Sequence, residues 1–455
     1  MRFFQAALLL VVFFGFSAQA ATSPTKTTHG KCGIAQKDAV VFPPADNLCD
    51  AGAAGAVSLA GGSYNWSCIG SGKNARTVAC AAPQIPFATL TPKPAAALLG
   101  GIGMNVHLNK DNATVAAGMR YLGLDTIRAG VPDPKQLKRY VDLAKQGIKL
   151  NLIVRAGKID VARDISMLEQ LQAQVPGSVT GIEGFNEINN WPPTYGDLKG
   201  LDAALKAQGE VYRAAQASRS LKDVPVIDFT GPGNGVAGMS DYNNRHSYPQ
   251  FGQQPRLWLR AKQLPSYITE FGYFSTPQAG SLIIGVDETS QAKMLLNGVV
   301  DSMANGIEKT FLYELFDNGA NSRFGLLRTD SSPKPAAAAL HNLSLILGND
   351  RGNLTRPATL SIAIDQLPAT ANTLLLQHSD GRHFLIVWNE PKIWDPKTGK
   401  AVAAPVVPVT LHFSEARRVT IYDPMLKAAP VRASSGAVKT LALDLVDHPL
   451  VLELR

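Results

Sequence analysis

The chain has 455 residues, 45% of them hydrophobic and 18% charged, with 44 Lys and Arg against 36 Asp and Glu for a formal net charge of +8. A chain of that length exceeds one typical domain, so two or three are expected. The basic residues are scattered with no run of five, which argues against a nucleic-acid surface and its clustered footprint; an anionic polysaccharide partner is compatible with the charge but not required by it.

The first twenty residues read as an export signal over 1–20. Arg2 supplies a short positive start, Ala6 to Phe16 an unbroken apolar run, and Ala18-Gln19-Ala20 a small-residue cleavage site. The run is far short of the roughly 20 residues that span a bilayer. No second such stretch follows, so the mature chain is expected to lack a membrane span and to work in the periplasm or outside the cell. A retained amino-terminal anchor is the weaker alternative, given the A-x-A ending and the polar stretch after it.

Residues 31–82 form the first unit, rich in Gly, Ala and Ser with few apolar anchors, among them Val41, Val57, Trp66 and Val78. Its four cysteines, Cys32, Cys49, Cys68 and Cys80, are the only ones in the chain. An even number confined to one short segment of an exported protein reads as two disulfides, and so small a core needs such staples. Intervals of 16, 18 and 11 residues lack the C-x2-C knuckle usual for zinc. Three pairings are open. The strings C-G-I-A, N-L-C-D-A-G, Y-N-W-S-C-I-G and V-A-C-A resemble a small cysteine module of bacterial exported proteins. Spacer and carbohydrate- or wall-binding appendage are equally open roles. Residues 83–97, with Pro83, Pro86, Pro92 and Pro94, read as a linker.

Over 98–350 short apolar strands alternate with helical stretches. The strands are expected at Ile102–His107, Thr126–Ala129, Leu150–Arg155, Gly181–Glu187, Val226–Thr230, His246–Tyr248, Tyr267–Phe271 and Thr310–Leu315. Helical periods fall at Pro134–Gln146, Asp160–Gln174, Leu201–Ser218, Glu288–Asn305 and Pro335–Leu347. Eight strands alternating with helices predict an α/β fold, a (β/α)8 barrel with its site at the strands' C-terminal ends. An open dinucleotide-binding sheet would need a glycine-rich turn after its first strand, whereas Gly100-Gly101-Ile102-Gly103 precedes it. From 354 to 455 the texture becomes alternating strands with Pro and Gly turns, the pattern of a small antiparallel β-sandwich. Packing against the barrel is its expected role, with carbohydrate binding as a second reading.

Two carboxylates stand at strand ends. Gly181-Ile182-Glu183-Gly184-Phe185-Asn186-Glu187-Ile188-Asn189 closes the fourth strand and is followed by Trp191 and Tyr195; Tyr267-Ile268-Thr269-Glu270-Phe271-Gly272 closes the seventh. On a barrel of eight those positions face each other across the mouth. Breaking a glycosidic bond needs a proton for the leaving oxygen and an anion beneath the developing oxocarbenium ion, which Glu187 and Glu270 would supply from opposite sides. Glu183, deeper in the barrel, reads instead as a structural partner for a base such as Arg128.

The strings G-I-E-G-F-N-E-I-N and I-T-E-F-G resemble the acid/base and nucleophile motifs of the clan A retaining glycoside hydrolases. G-M-N-V-H-L, F-G-L-L with P-K-P-A-A-A-A-L, and the closing D-H-P-L-V-L-E-L are most similar to the family 39 type and its relatives among bacterial exopolysaccharide glycosidases. The resemblance implies a polysaccharide or oligosaccharide substrate, with Glu187 as proton donor and base and Glu270 as nucleophile. It implies that Asn186 binds the 2-hydroxyl of the sugar beside the scissile bond. His246-Ser247-Tyr248 matches a His-x-Tyr whose tyrosine holds the nucleophile; Arg128 would steady ionised Glu270, leaving Glu187 as the partner that keeps its proton. His107, Trp191 and Tyr313 are further sugar contacts, with Tyr313 or Phe316 replacing the tryptophan platform usual on the eighth strand. Ile188 replaces the proline common after Asn-Glu. No metal or organic cofactor is implied. Two other readings are a catalytically silent carbohydrate-binding barrel and a metal-dependent hydrolase using His107, Asp228, His246 and Glu314, which stand isolated rather than clustered as ligands usually do.

Overall fold

The computed structural model describes residues 27–455 except 157–158, 260–265, 277–284, 320–322, 349, 351 and 353. The expected export signal at 1–20 lies outside the described residues. Among those described, no helix is long and apolar enough to cross a membrane. The chain divides into two compact units, one ending at Phe87 and the other running from Ala88 to Arg455.

In the first unit the strand Ser63–Ile69 lies between Ala53–Ala54 and Ser58–Ala60 on one side and Val78–Pro83 on the other. Its period of two turns Tyr64, Trp66 and Cys68 inward. Among the described residues the buried core is small, a cluster of Trp66, Cys68, Cys80 and Ala82 with Val41 and Tyr64 also buried, and the disulfides Cys32–Cys80 and Cys49–Cys68 supply what it lacks. Spacing left that nested pairing open. Trp66 Nε1 donates to the Leu48 carbonyl at 2.9 Å and the Tyr64 hydroxyl to that of Val41 at 2.9 Å. Both rings serve the interior, and the large apolar side chains this unit exposes are aliphatic: Ile34, Leu59, Ile69 and Val78.

The second unit is built on eight parallel strands: β1 Ile102–Asn105, β2 Thr126–Gly130, β3 Lys149–Ile153, β4 Val179–Glu183, β5 Val226–Ile227, β6 Asn243–Ser247, β7 Ser266–Phe271 and β8 Ile307–Leu312. Hydrogen bonding runs β5-β4-β3-β2-β1-β8-β7-β6, and a parallel bridge between Ile227 and Tyr242 closes the (β/α)8 barrel. All eight strands overlap their expected ranges, but β4 ends four residues earlier than expected and β5 and β8 three, while the polar β6 begins three residues earlier and shares only His246 and Ser247 with its expected range. Beyond Ile227 the backbone leaves the ladder: Thr230 N donates to Phe185 O at 3.0 Å, and Ile188 N to Thr230 O at 3.0 Å. Those two bonds clamp the chain around Glu187.

The helices are α1 Asn112–Leu122, α2 Leu137–Lys145, α3 Val161–Gln174, α4 Gly200–Ala217, α5 Glu288–Ala304 and α6 Pro335–Leu347. Asp111, Asp160 and Asp287 cap α1, α3 and α5 by accepting from the backbone N–H three residues on. Among the described residues no helix separates β5 from β6, and a single 3-10 turn, Pro255–Leu257, lies between β6 and β7.

The C-terminal sandwich has a four-stranded and a six-stranded sheet. The strand His383–Asn389 is buried along its whole length because it faces two cores. Leu385 and Val387 meet the sandwich interior, while Phe384, Ile386 and Trp388 join the barrel cluster. The sandwich therefore packs on the barrel, with Lys293 of α5 2.7 Å from Asp447.

The expected linker at 83–97 needs correction. Ala88–Leu90 pairs with Leu360–Ile362 at the edge of one sandwich sheet, Lys93–Pro94 runs parallel to Leu376–Gln377 at the edge of the other, and Ala95–Gly100 is helical. Prolines mislead here because an edge strand tolerates a missing donor on its open side. The edge strand Lys427–Ala433 escaped the sequence reading for a related reason: it is almost wholly exposed and has no apolar alternation.

These edges yield a truncation test. A chain starting at Ala88 should unfold at the same temperature as the barrel and sandwich of the whole protein. A chain starting at Leu98 loses both edge strands and should unfold several degrees lower by differential scanning calorimetry.

Candidate active site

Arg128 organises the mouth of the barrel. Register places it between Asn105 of β1 and Asn151 of β3, pointing inward and 3% exposed. Its Nε and Nη2 donate to the two oxygens of Glu183 at 2.8 and 2.7 Å. Nη1 donates to Asn105 Oδ1 at 2.8 Å and to Glu270 Oε1 at 2.6 Å, and Nη2 also to Asn186 Oδ1 at 2.8 Å. A planar fork with five donors can hold this many acceptors at once, which an ammonium cannot. Burial alone would lower the guanidinium's pKa, but the Glu183 and Glu270 carboxylates outweigh it and raise it. Asn151 and Asn244 complete the shell around Glu183 at 2.8 and 3.1 Å. Glu183 is thus the structural partner expected of it, and Arg128 also reaches Glu270.

Glu270, near the end of β7, accepts from Arg128 on one oxygen and from the Tyr248 hydroxyl on the other. Glu187 stands on the turn after β4 with φ +43°, a conformation L residues rarely adopt. The Thr230 hydroxyl holds it there by accepting its N–H at 2.8 Å. His246 Nδ1 lies 2.8 Å from Glu187 Oε1 and 3.4 Å from Glu270 Oε2, and Asn190 donates to Glu187 Oε2 at 2.9 Å. Opposite strand ends therefore converge, with an oxygen from each glutamate within 4.8 Å of the other and of His246.

The hydrogen bond from His246, helped by that from Asn190, pulls the Glu187 carboxyl down to about 2. In the free protein it is an anion at neutral pH, contrary to the expectation that Glu187 keeps its proton for want of partners.

Two cavities meet at Glu187, Glu270 and Tyr313. One, of about 470 Å³, is lined by Asn105, His107, Arg128, Asn186 and Trp191. Arg128 occupies the Asn186 carbonyl oxygen, which leaves the amide N–H groups as its available donors. His107 Nε2 lies 2.9 Å from the Tyr313 hydroxyl and 3.1 Å from Glu314, whose hydrogen bond raises the imidazole's pKa. Trp191 is 66% exposed at the rim. The other cavity, of about 380 Å³, is walled by Tyr248, Tyr273, Phe274, Tyr313 and Phe324. Of the two rings offered for the eighth strand, Tyr313 faces the site, while Phe316 is buried in the barrel core.

The ligand set of the metal-dependent reading does not assemble. His107 pairs with Glu314, His246 with the two glutamates, and Asp228 accepts the backbone N–H groups of Phe229 and Gly235. The closest carboxylate–imidazole cluster, Glu187–His246–Glu270, already spends its acceptors on His246, Asn190, Arg128 and Tyr248.

No family model and no curated protein matches the chain. Solved structures do. A glucosidase from Croceicoccus marinus aligns with TM-score 0.51 at 12% identity, covering 80% of this chain and 98% of its own. A glycoside hydrolase family 30 subfamily 8 xylanase from Clostridium acetobutylicum aligns with TM-score 0.51 at 10% identity, covering 81% and 97%. The likeness is one of fold. It extends over about four fifths of this chain and nearly the whole length of each of the two neighbours.

Sequence reasoning missed Asn105, Thr230, Asn190, Phe274 and Phe324. Asn105, a polar residue inside the apolar β1 run, carried a readable signal. Thr230, Phe274 and Phe324 carried none, since their roles arise from loop packing.

Two measurements probe this network. Arg128→Met leaves two buried carboxylates uncompensated and should cost about 3–5 kcal/mol of unfolding free energy in urea titrations. The depressed Glu187 carboxyl stabilises the fold above its ordinary value of 4.5, and that contribution is lost as pH falls to about 2. His246→Asn removes the main cause, so the stability difference between wild type and variant should shrink across that window; a constant difference would contradict the assignment.

Proposed function

We propose that the chain is an exported retaining glycoside hydrolase of the clan A type, acting on an O-glycosidic bond of a polysaccharide or oligosaccharide. The observation that carries this reading is the convergence of Glu187 and Glu270, from opposite strand ends, to oxygens within 4.8 Å. Such closeness favours double displacement, for which carboxyl groups about 5–5.5 Å apart are usual, over inversion, which needs roughly 6.5–9.5 Å to admit a water. A barrel that only bound sugar would have no use for two such carboxylates. The glycosidases that share the fold support the same chemistry, and the opening and closing motifs place it nearest the family 39 type. Two disulfides accord with an oxidising compartment.

In the proposed cycle Glu270 attacks the anomeric carbon, held by Arg128 and Tyr248 on its two oxygens. The bond from that carbon to the leaving oxygen breaks, and the oxygen takes a proton from Glu187. A bound leaving group excludes water from Glu187, and desolvation raises its pKa toward what an acid needs. Glu187 then deprotonates the water that releases the glycosyl-enzyme. Asn186 donates to the sugar's 2-hydroxyl, and His107, Trp191 and Tyr313 complete its subsite.

Azide chemistry tests the division of roles on a panel of activated aryl glycosides. Glu187→Ala should still accumulate a glycosyl-enzyme by mass spectrometry, and azide should release it as a glycosyl azide of retained configuration. Glu270→Ala should form no covalent intermediate and give the inverted azide. The opposite pattern would exchange the two assignments.

A further inference from the structure

The two cavities that meet at the glutamates differ in chemistry. The one holding Asn186, His107 and Arg128 is polar, and on the hydrolase reading it takes the sugar whose bond is cleaved. The second shares Glu187, Glu270 and Tyr313 with it and is otherwise lined by different residues; on the same reading it takes the leaving group. Its wall is Tyr248, Tyr273, Phe274, Val286, Tyr313 and Phe324.

A subsite for a further sugar needs donors and acceptors to replace the water on its hydroxyls. This wall has already committed its polar atoms. The Tyr248 hydroxyl donates to Glu270, that of Tyr273 to the Gln253 carbonyl at 2.6 Å, and that of Tyr313 lies 2.9 Å from His107 Nε2. Apart from the two glutamates, Gln250 is the polar side chain left among the described residues lining the cavity. What faces the space is ring carbon. Phe324 stands at the centre of an edge-to-face cluster, its centroid 5.5 Å from Tyr248, 5.5 Å from Tyr313 and 5.2 Å from Phe274.

The wall is also rigidly built. A Cβ on Gly272 would meet the Tyr313 carbonyl oxygen at 2.5 Å, so glycine alone lets the rings close up there. Behind the rings, buried Lys334 donates to Asp317 at 2.7 Å and to Ser275 at 2.9 Å, and Ser275 donates to the Arg323 carbonyl at 2.7 Å. These bonds fix the chain segments that carry Phe274 and Phe324 to each other. A preformed, mainly apolar space of about 380 Å³ has room for a six-membered ring and more.

We infer that the leaving-group side of this site takes an apolar, ring-sized aglycone, an aryl group being the simplest, in preference to another unsubstituted sugar. The inference rests on the hydrolase reading for the function of the cavity, but the cavity's chemistry can be measured without turnover. The whole protein would be titrated with 4-nitrophenol by saturation-transfer NMR, alone and against free glucose, galactose, mannose and xylose. 4-Nitrophenol should bind, and the monosaccharides should not displace it. Phe324→Ser and Phe274→Ser should each weaken binding about 3- to 10-fold, the worth of one aromatic contact, while Trp191→Ala, in the polar cavity, leaves it unchanged. Absence of 4-nitrophenol binding, equal binding by both phenylalanine variants and wild type, or displacement by the monosaccharides would overturn the inference. A protein that binds 4-nitrophenol through Phe324 yet hydrolyses no glycoside would instead sink the hydrolase reading.

Discussion

A guanidinium withdrawn from water between two carboxylates governs the rest of the barrel's mouth. Arg128 cannot shed its charge, so burial is tolerable only while acceptors surround it. Glu183 and Glu270 are those acceptors, and each is satisfied in turn by further donors: Asn151 and Asn244 on Glu183, Tyr248 on Glu270. Residues from β1, β2, β3, β4, β6 and β7 are thereby tied to one centre. A shift of any one strand would strand a buried charge. That penalty fixes Glu270 and Asn186 more firmly than apolar packing could, because packing tolerates small slides and an ion pair of this geometry does not.

Glu187 is held by other means. It sits past the end of its strand on a left-handed turn, and hydrogen bonds from the loop after β5 and from Asn190 keep it there. One glutamate is thus locked into the barrel wall and the other stands on a turn at its rim, a difference that accords with the proposed roles of nucleophile and acid. His246 Nδ1 lies between the two, 2.8 Å from Glu187 and 3.4 Å from Glu270.

The sandwich serves the same end from outside. His383–Asn389 is apolar along its length because one face fills the sandwich and the other the barrel cluster. It shares that cluster with α5 and α6, which flank the loop between β7 and β8 and the end of the loop after β8. Those loops carry Phe274 and Phe324, so the aromatic wall of the second cavity rests on a layer the sandwich completes.

Much of this was legible in the sequence. Apolar runs located most of the barrel strands, because a strand buried on both faces has no alternation to obscure it, whereas the polar β6, Asn243–Ser247, was met only at its end; helical periods located the long helices. The paired motifs at 181–189 and 267–272 marked the two glutamates, since an acid ending an apolar strand is conspicuous. His246, Tyr248 and Arg128 came with the family resemblance. Tertiary structure alone decided the disulfide pairing, because intervals of 16, 18 and 11 residues do not rank the partners. It alone drew Ala88–Leu90 and Lys93–Pro94 into the sandwich, since very short edge strands set among Pro86, Pro92 and Pro94 imitate a linker. It put Arg128 on Glu183 and Glu270 together, where the sequence offered either role. It also set the charge of Glu187: the His246 contact that draws its pKa down joins residues 59 apart in the chain, and no local pattern records a hydrogen bond made only when the barrel closes.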